Sequence, residues 1–190
     1  MTELCDLGLK YGADKCPTIG HMYTPFYYEL FTPIRQKVKK VLEVGIGNRG
    51  QTRVIPGYVM GPSIRMWRDF FPNAWVYGAD VAKESFFVDD RISTYYCDET
   101  KEEDIKRLVL QIGSDIDIVI DDARHRVGDQ IFLCQILMPL LKPGVIYCIE
   151  DCRRTRQVRR TFPQYQPYSP QLLPNEDRFC RDGIVVLTNK

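Results

Sequence analysis

Val41-Leu42-Glu43-Val44-Gly45-Ile46-Gly47-Asn48-Arg49-Gly50 is the stretch whose reading decides the fold. Val41, Leu42 and Val44 form the β-branched and aliphatic run expected of a parallel strand covered on both faces. Three glycines follow at the spacing Gly45-x-Gly47-x-x-Gly50. Gly45 allows a tight turn, and Gly47 allows backbone to approach a ligand whose polar or negative groups the loop amides can bind. The spacing alone is shared by binders of nicotinamide, flavin and S-adenosylmethionine, and it also occurs in merely tight strand-to-loop turns. Glu43 narrows the choice. An acid two residues before the first glycine directs its carboxylate to the strand's C-terminal end, where a cationic group such as the amino group or sulfonium of S-adenosylmethionine could be held.

Working outward, 190 residues with 44% hydrophobic content predict one domain, residues 1–190, with one respectable core. A net charge of +1 gives no global field that would favour nucleic acid or membrane. Seven cysteines, Cys5, Cys16, Cys97, Cys134, Cys148, Cys152 and Cys180, form no CxxC pair. They read as free, mostly buried thiols of a reducing compartment. The start MTELCDLGLKYGADK lacks the apolar core of a signal peptide, and no run is long enough to span a bilayer. The expectation is a cytoplasmic protein without a membrane or nucleic-acid partner. Homo-oligomerisation is left open.

The rest of the chain alternates strand and helix. Residues 12–31 read as a loop leading into a short helix with Tyr27, Leu30 and Phe31 on one face. Ser63 is placed to cap a helix carrying Ile64, Trp67, Phe70 and Phe71, which Pro72 stops. Strands are predicted at 75–79, 92–96, 116–120, 145–149 and 184–188, with helices at 102–112 and 131–141 and an interrupted strand within 162–168. This pattern predicts an α/β, Rossmann-like, doubly wound sheet of seven strands, mainly parallel with an antiparallel C-terminal strand. Residues 37–190 would be the core, and 1–36 a segment covering cofactor or substrate. Function belongs at the strands' C-terminal ends. Acids gather there: Glu43, Asp80, Asp98, Asp121 with Asp122, and Glu150 with Asp151.

These residues carry a resemblance. GADK with His21 and Tyr23, VLEVGIG, GPSIRMWRDFFPNAWVYGAD, DIVIDDARH and PGVIYCIED resemble, in that order, class I S-adenosylmethionine-dependent methyltransferases. More narrowly, the chain is similar to the metal-dependent macrolide sugar O-methyltransferases of the demethylmacrocin and mycinamicin type. It departs from their usual Asp-Asp-Gly-Ser-His at Asp121-Asp122-Ala123-Arg124-His125, and from their Asp-Gln at Asp98-Glu99.

The resemblance implies S-adenosylmethionine as cofactor, bound by Lys15, Tyr23, Glu43, Gly45, Gly47, Ser63, Asp80, Asp98 and Asp121. Asp80 would accept the ribose hydroxyls and Asp98 would lie near the adenine edge. Asp122, Glu150 and Asp151 would gather three carboxylates, which calls for a hard divalent ion such as Mg2+. Such an ion lowers the pKa of a substrate hydroxyl, leaving His125, with Asp122, as the catalytic pair and His125 as the base. A histidine at a helix start can equally serve only the backbone. The implied substrate is a small molecule with a free hydroxyl, a sugar or a sugar-containing metabolite. Arg153, Arg154, Arg156, Arg159 and Arg160 could recognise an acidic group on it, or form a solvated face. Two rivals stand beside this reading: a nicotinamide oxidoreductase, motivated by the glycine spacing, and a module that binds S-adenosylmethionine without turnover.

Overall fold

The structure is a computed structural model and describes residues 1–47, 59–164, 166–167 and 183–189. Gly50, Pro56, Gly57 and Cys180 lie outside the described residues. In chain order the elements are α1 (Glu3–Tyr11), α2 (Tyr23–Phe31), β1 (Lys40–Val44), α3 (Pro62–Phe70), β2 (Trp75–Asp80), β3 (Val88–Asp89), β4 (Ile92–Tyr96), α4 (Glu102–Ile112), β5 (Ile118–Asp121), α5 (Val127–Leu137), β6 (Ile146–Cys152), α6 (Thr155–Thr161), β7 (Gln166–Pro167) and β8 (Gly183–Thr188).

The strands make one sheet in the order β3-β4-β2-β1-β5-β6-β8-β7. β4, β2, β1, β5 and β6 run parallel, and β8 is antiparallel to both β6 and β7. This is the expected seven-stranded, mainly parallel sheet, to which the two-residue β3 adds an antiparallel edge. From β1 the chain winds one way through β2 to β4 and the other way through β5 to β6. The order therefore reverses at β1 and β5, and a cleft opens above their C-terminal ends.

Strand residues alternate between two cores because successive side chains point to opposite faces. Val41, Val76, Ile118, Ile120 and Cys148 face α1, α2 and α3, where Tyr27, Phe31, Trp67 and Phe71 pack as a cluster of rings. Leu42, Val44, Val119, Tyr147 and Ile149 face α4, α5 and α6. The six described cysteines are all buried free thiols. No helix among the described residues is long and apolar enough to cross a membrane.

Several boundaries differ from expectation for physical reasons. Helix α1 escapes a reading attentive only to leader signals: the Thr2 hydroxyl accepts from the Cys5 amide at its start, and Gly12 at φ +74° ends it. Ser63 does not cap α3. Gly61 occupies the cap position and Pro62 the first turn, while the Ser63 hydroxyl donates to Glu43 at 2.6 Å. Helix α5 starts at Val127 rather than Ile131. β6 continues through Glu150 and Asp151 to Cys152, with an irregularity against β8 between Ile149 and Cys152.

Gly45 is the tightest point of the framework. Its φ is +87°, and a Cβ there would lie 2.2 Å from the Asp122 carbonyl oxygen and 2.6 Å from the Ala123 Cα. Backbone on both sides cannot yield as a flexible side chain does, so the glycine supplies both a conformation and a space. Gly45→Ala is therefore expected to lower stability by about 2 to 4 kcal/mol. A urea titration showing less than about 0.5 kcal/mol of change would contradict that crowding.

Candidate active site

A cavity of about 250 Å³ lies above the ends of β1, β2, β5 and β6. Gly45 and Gly47 line it from the first loop and Asp80 from the end of β2. Asp80 is fixed by two backbone donors: Oδ2 accepts from the Ile46 amide at 3.0 Å and Oδ1 from the Ala82 amide at 2.8 Å. Burial raises its pKa, against the pull of these amides. Gly47, at φ +75°, presents its carbonyl to the Ser85 hydroxyl at 2.6 Å. Both glycines and Asp80 thus stand where the sequence placed them.

The opposite wall carries Asp122, His125 and Asp151. Each offers one ligand atom, and these three atoms lie within 4.8 Å of one another. His125 Nδ1 is 3.5 Å from Asp151 Oδ2, and Nε2 is 4.0 Å from Asp122 Oδ1. Both His125 (φ +52°) and Asp151 (φ +50°) sit in the left-handed region, which is costly for side-chain-bearing residues and concentrates at functional sites. Asp151 is also held from behind: Tyr23 donates to its Oδ1 at 2.6 Å, and His21, stacked on Tyr23, brings Nδ1 to 3.7 Å. Burial and the Asp151 hydrogen bond push the Tyr23 phenol far above its usual range, so it stays a donor. The two carboxylate oxygens on this open wall suit a divalent ion whose remaining positions go to water or substrate, with the imidazole beside it.

Beneath this wall lies a cage. Lys15, 1% exposed, brings Nζ to 2.5 Å from both Asp122 Oδ2 and Glu150 Oε2 and to 3.6 Å from Glu43 Oε1. The Tyr27 hydroxyl donates to the other Glu150 oxygen at 2.8 Å, and the Trp67 indole donates to Glu43 at 2.7 Å. Burial pulls the Lys15 pKa down, but Asp122, Glu150 and Glu43 more than restore it, so the ammonium stays charged. Burial drives Glu150 well above the carboxylate range, against the pull of Lys15, and Glu43 up to about 7.

Several of the expected site residues have partners within the protein. The Glu43 carboxylate does attract a cation, but the cation is the protein's own Lys15. Lys15 itself is directed inward to the acids. Ser63 serves Glu43, and Tyr23 serves Asp151. Glu150 is turned to Lys15 and Tyr27, and the acid and imidazole atoms that lie within 4.8 Å of one another belong to Asp122, His125 and Asp151. Asp98 accepts from Thr100 and pairs with Lys101, and its neighbour Glu99 lines the cavity instead. Glu99 is buried with Oε1 lacking a hydrogen-bond partner, 3.8 Å from Arg124 Nε. Asp121 is buried in the α4–α5 core, 3.5 Å from the Tyr147 hydroxyl. Asp14 and Glu99 are the charged lining residues that sequence reasoning missed, while Arg124 lies beside the site as its position near Asp122 implied. The signal for Glu99 was the acid doublet itself, since adjacent residues leaving a strand point to opposite sides.

Known proteins resemble this chain in sequence and fold. A scan of protein-family models gives no match. A tetracenomycin rhamnosyl 2'-O-methyltransferase of Streptomyces olivaceus is 36% identical over 148 residues, covering 78% of this chain and 37% of that protein. Mycinamicin VI 2''-O-methyltransferase of Micromonospora griseorubida is 34% identical over 149 residues, 78% of this chain and 36% of its own length. The chain therefore spans little more than a third of the length of the curated relatives it matches. Among solved structures, the methyltransferase MycE of the mycinamycin pathway, in complex with Mg and SAH, aligns with a TM-score of 0.76 at 25% identity. That alignment covers 99% of this chain and 53% of MycE. An O-methyltransferase from Bacillus cereus in complex with SAH shares the fold at a TM-score of 0.60 and 13% identity, over 100% of this chain and 92% of that one.

Asp121 generates a test of the buried acid pattern. Burial pushes its pKa up to about 8, with the nearby Asp122 adding to the rise against the Ala123 amide. The folded form then holds a proton that the unfolded chain releases near pH ~4. The stability it contributes is complete below that value and is lost as pH rises toward about 8. Asp121→Asn should therefore gain on the wild type by at least about 1 kcal/mol between pH 5 and pH 8. Parallel urea curves at the two pH values would show a constant difference if Asp121 were ionised in the fold.

Proposed function

The chain is related by sequence to the tetracenomycin rhamnosyl, mycinamicin VI and demethylmacrocin O-methyltransferases, and on that premise we propose that it moves the methyl group of S-adenosylmethionine to a hydroxyl of a sugar or sugar-containing small molecule. The observation that carries this reading is that one cavity joins the Gly45–Gly47 loop and Asp80 to Asp122, His125 and Asp151.

In this reading the glycine backbone and Asp80 hold the cofactor. Each Asp80 oxygen accepts one amide and retains a lone pair, which suits the two hydroxyls of a ribose. Asp122 and Asp151 would hold a divalent ion, which would supply Lewis acidity toward a substrate hydroxyl. His125 Nε2 takes the proton, while Asp151 beside Nδ1 orients the ring and stabilises the imidazolium. The walls align oxygen, methyl and sulfur for displacement, so much of the catalysis is positioning. Arg153, Arg154, Arg156 and Arg160 line an open hollow of about 670 Å³ and would receive an acidic substituent of the substrate, should it carry one.

Two measurements test the reading. S-adenosylhomocysteine should raise the melting temperature while NADH leaves it unchanged, and Asp80→Ala should weaken S-adenosylhomocysteine binding by about 1.5 to 3 kcal/mol. Equal affinity in the variant by calorimetry would remove Asp80 from the cofactor site. For a sugar acceptor that releases S-adenosylhomocysteine, His125→Ala should cut the rate by roughly 10²-fold or more. Cofactor affinity should stay intact. Near-normal turnover in the variant would return His125 to a purely backbone role.

A further inference from the structure

Of the three acids paired with Lys15, Asp122 is the one that lines the open cavity. Its Oδ2 faces the Lys15 ammonium at 2.5 Å, and its Oδ1 faces the His125 side. The ammonium has little freedom to follow a moving carboxylate. The Lys15 carbonyl accepts from the Tyr23 and Thr24 amides at 3.1 and 3.0 Å, which fastens its backbone to the start of α2. Its far side is fixed by Glu150, which Tyr27 holds in turn.

We propose that Lys15 is a positioning residue that makes Asp122 grip a divalent ion with one oxygen, biasing the site toward a small six-coordinate ion such as Mg2+ or Mn2+ and against Ca2+. The inference rests on the proposed function, in which Asp122 and Asp151 hold the ion and His125 stands beside it. Ca2+ takes six to eight oxygens and favours bidentate carboxylates, whereas Mg2+ demands an octahedron of single contacts. A bidentate grip needs both Asp122 oxygens turned to the cavity. That rotation withdraws Oδ2 from a buried ammonium and leaves part of its charge uncompensated. A monodentate grip through Oδ1 leaves the Lys15 contact intact. Discrimination is thus built from a cost imposed on the larger ion rather than from added affinity for the smaller one.

Ion competition tests this without turnover. Mn2+ binding to the full chain is followed by electron paramagnetic resonance, then displaced by Mg2+ and by Ca2+, and the ratio of the two dissociation constants is taken. Lys15→Met should shift that ratio toward Ca2+ by roughly tenfold, the scale of one charge-assisted hydrogen bond. The double variant K15M/E43Q, which also removes the acid that Lys15 faces at 3.6 Å, should show the same shift and guards against unfolding of the single variant. Circular dichroism and thermal unfolding establish which variants fold. A ratio within about twofold of wild type in a folded variant overturns the proposal. So does loss of all ion binding in folded variants, or failure of both to fold, since either makes Lys15 a general support. A wild type that binds no Mn2+ withdraws the metal reading itself, and the inference with it.

Discussion

One buried ammonium holds this architecture together. β1, β5 and β6 are neighbours in the sheet, and each brings an acid to its C-terminal end: Glu43, Asp122 and Glu150. Parallel strands lie about 4.8 Å apart, so these carboxylates would repel one another in a place that water scarcely reaches. Lys15 sits between them. It belongs to the loop joining α1 to α2, and so the first helical layer cannot leave the sheet without baring the acids. A buried cation among acids is weak as a source of net stability, because desolvation opposes the attraction. Its value is geometric, since it sets where each carboxylate points.

The same sheet handles a second population of acids in the opposite way. Asp121, one residue from Asp122, faces the α4–α5 side and has no cation beside it, so burial keeps it protonated. One face of the sheet compensates charge and the other suppresses it. The result is that negative charge is concentrated on the cavity side, where Asp80, Glu99, Asp122 and Asp151 meet Arg124 and His125.

Much of the fold was legible because hydrophobic period speaks directly to packing. Ile105, Leu108, Val109 and Ile112 mark α4 as plainly in sequence as in three dimensions, and the alternation of strand and helix sufficed for a doubly wound sheet. The cavity residues Gly45, Gly47, Asp80, Asp122, His125 and Asp151 were also found, because each follows or ends a recognisable strand. What escaped was partnership. Sequence shows that Glu43 is an acid at a strand end, but not that a lysine 28 positions earlier in the numbering will reach it first. It shows Ser63 beside a helix start, but not that its hydroxyl prefers a carboxylate to the helix amides. Such pairings depend on long-range approach, which local pattern does not encode.

The acids at these strand ends come in doublets, Asp98-Glu99, Asp121-Asp122 and Glu150-Asp151, and in each the second member lines the cavity. A slip of one residue would exchange the members and still leave an acid at each of these three cavity positions. Nor would the apolar pattern object, since Ile118, Val119 and Ile120 are apolar toward both faces. Polarity and hydrophobicity are thus blind to parity here. The close crossing at Gly45 is not: the Asp122 carbonyl and Ala123 Cα pass where only a hydrogen atom fits. A residue without a side chain decides which of two chemically similar acids becomes the working one.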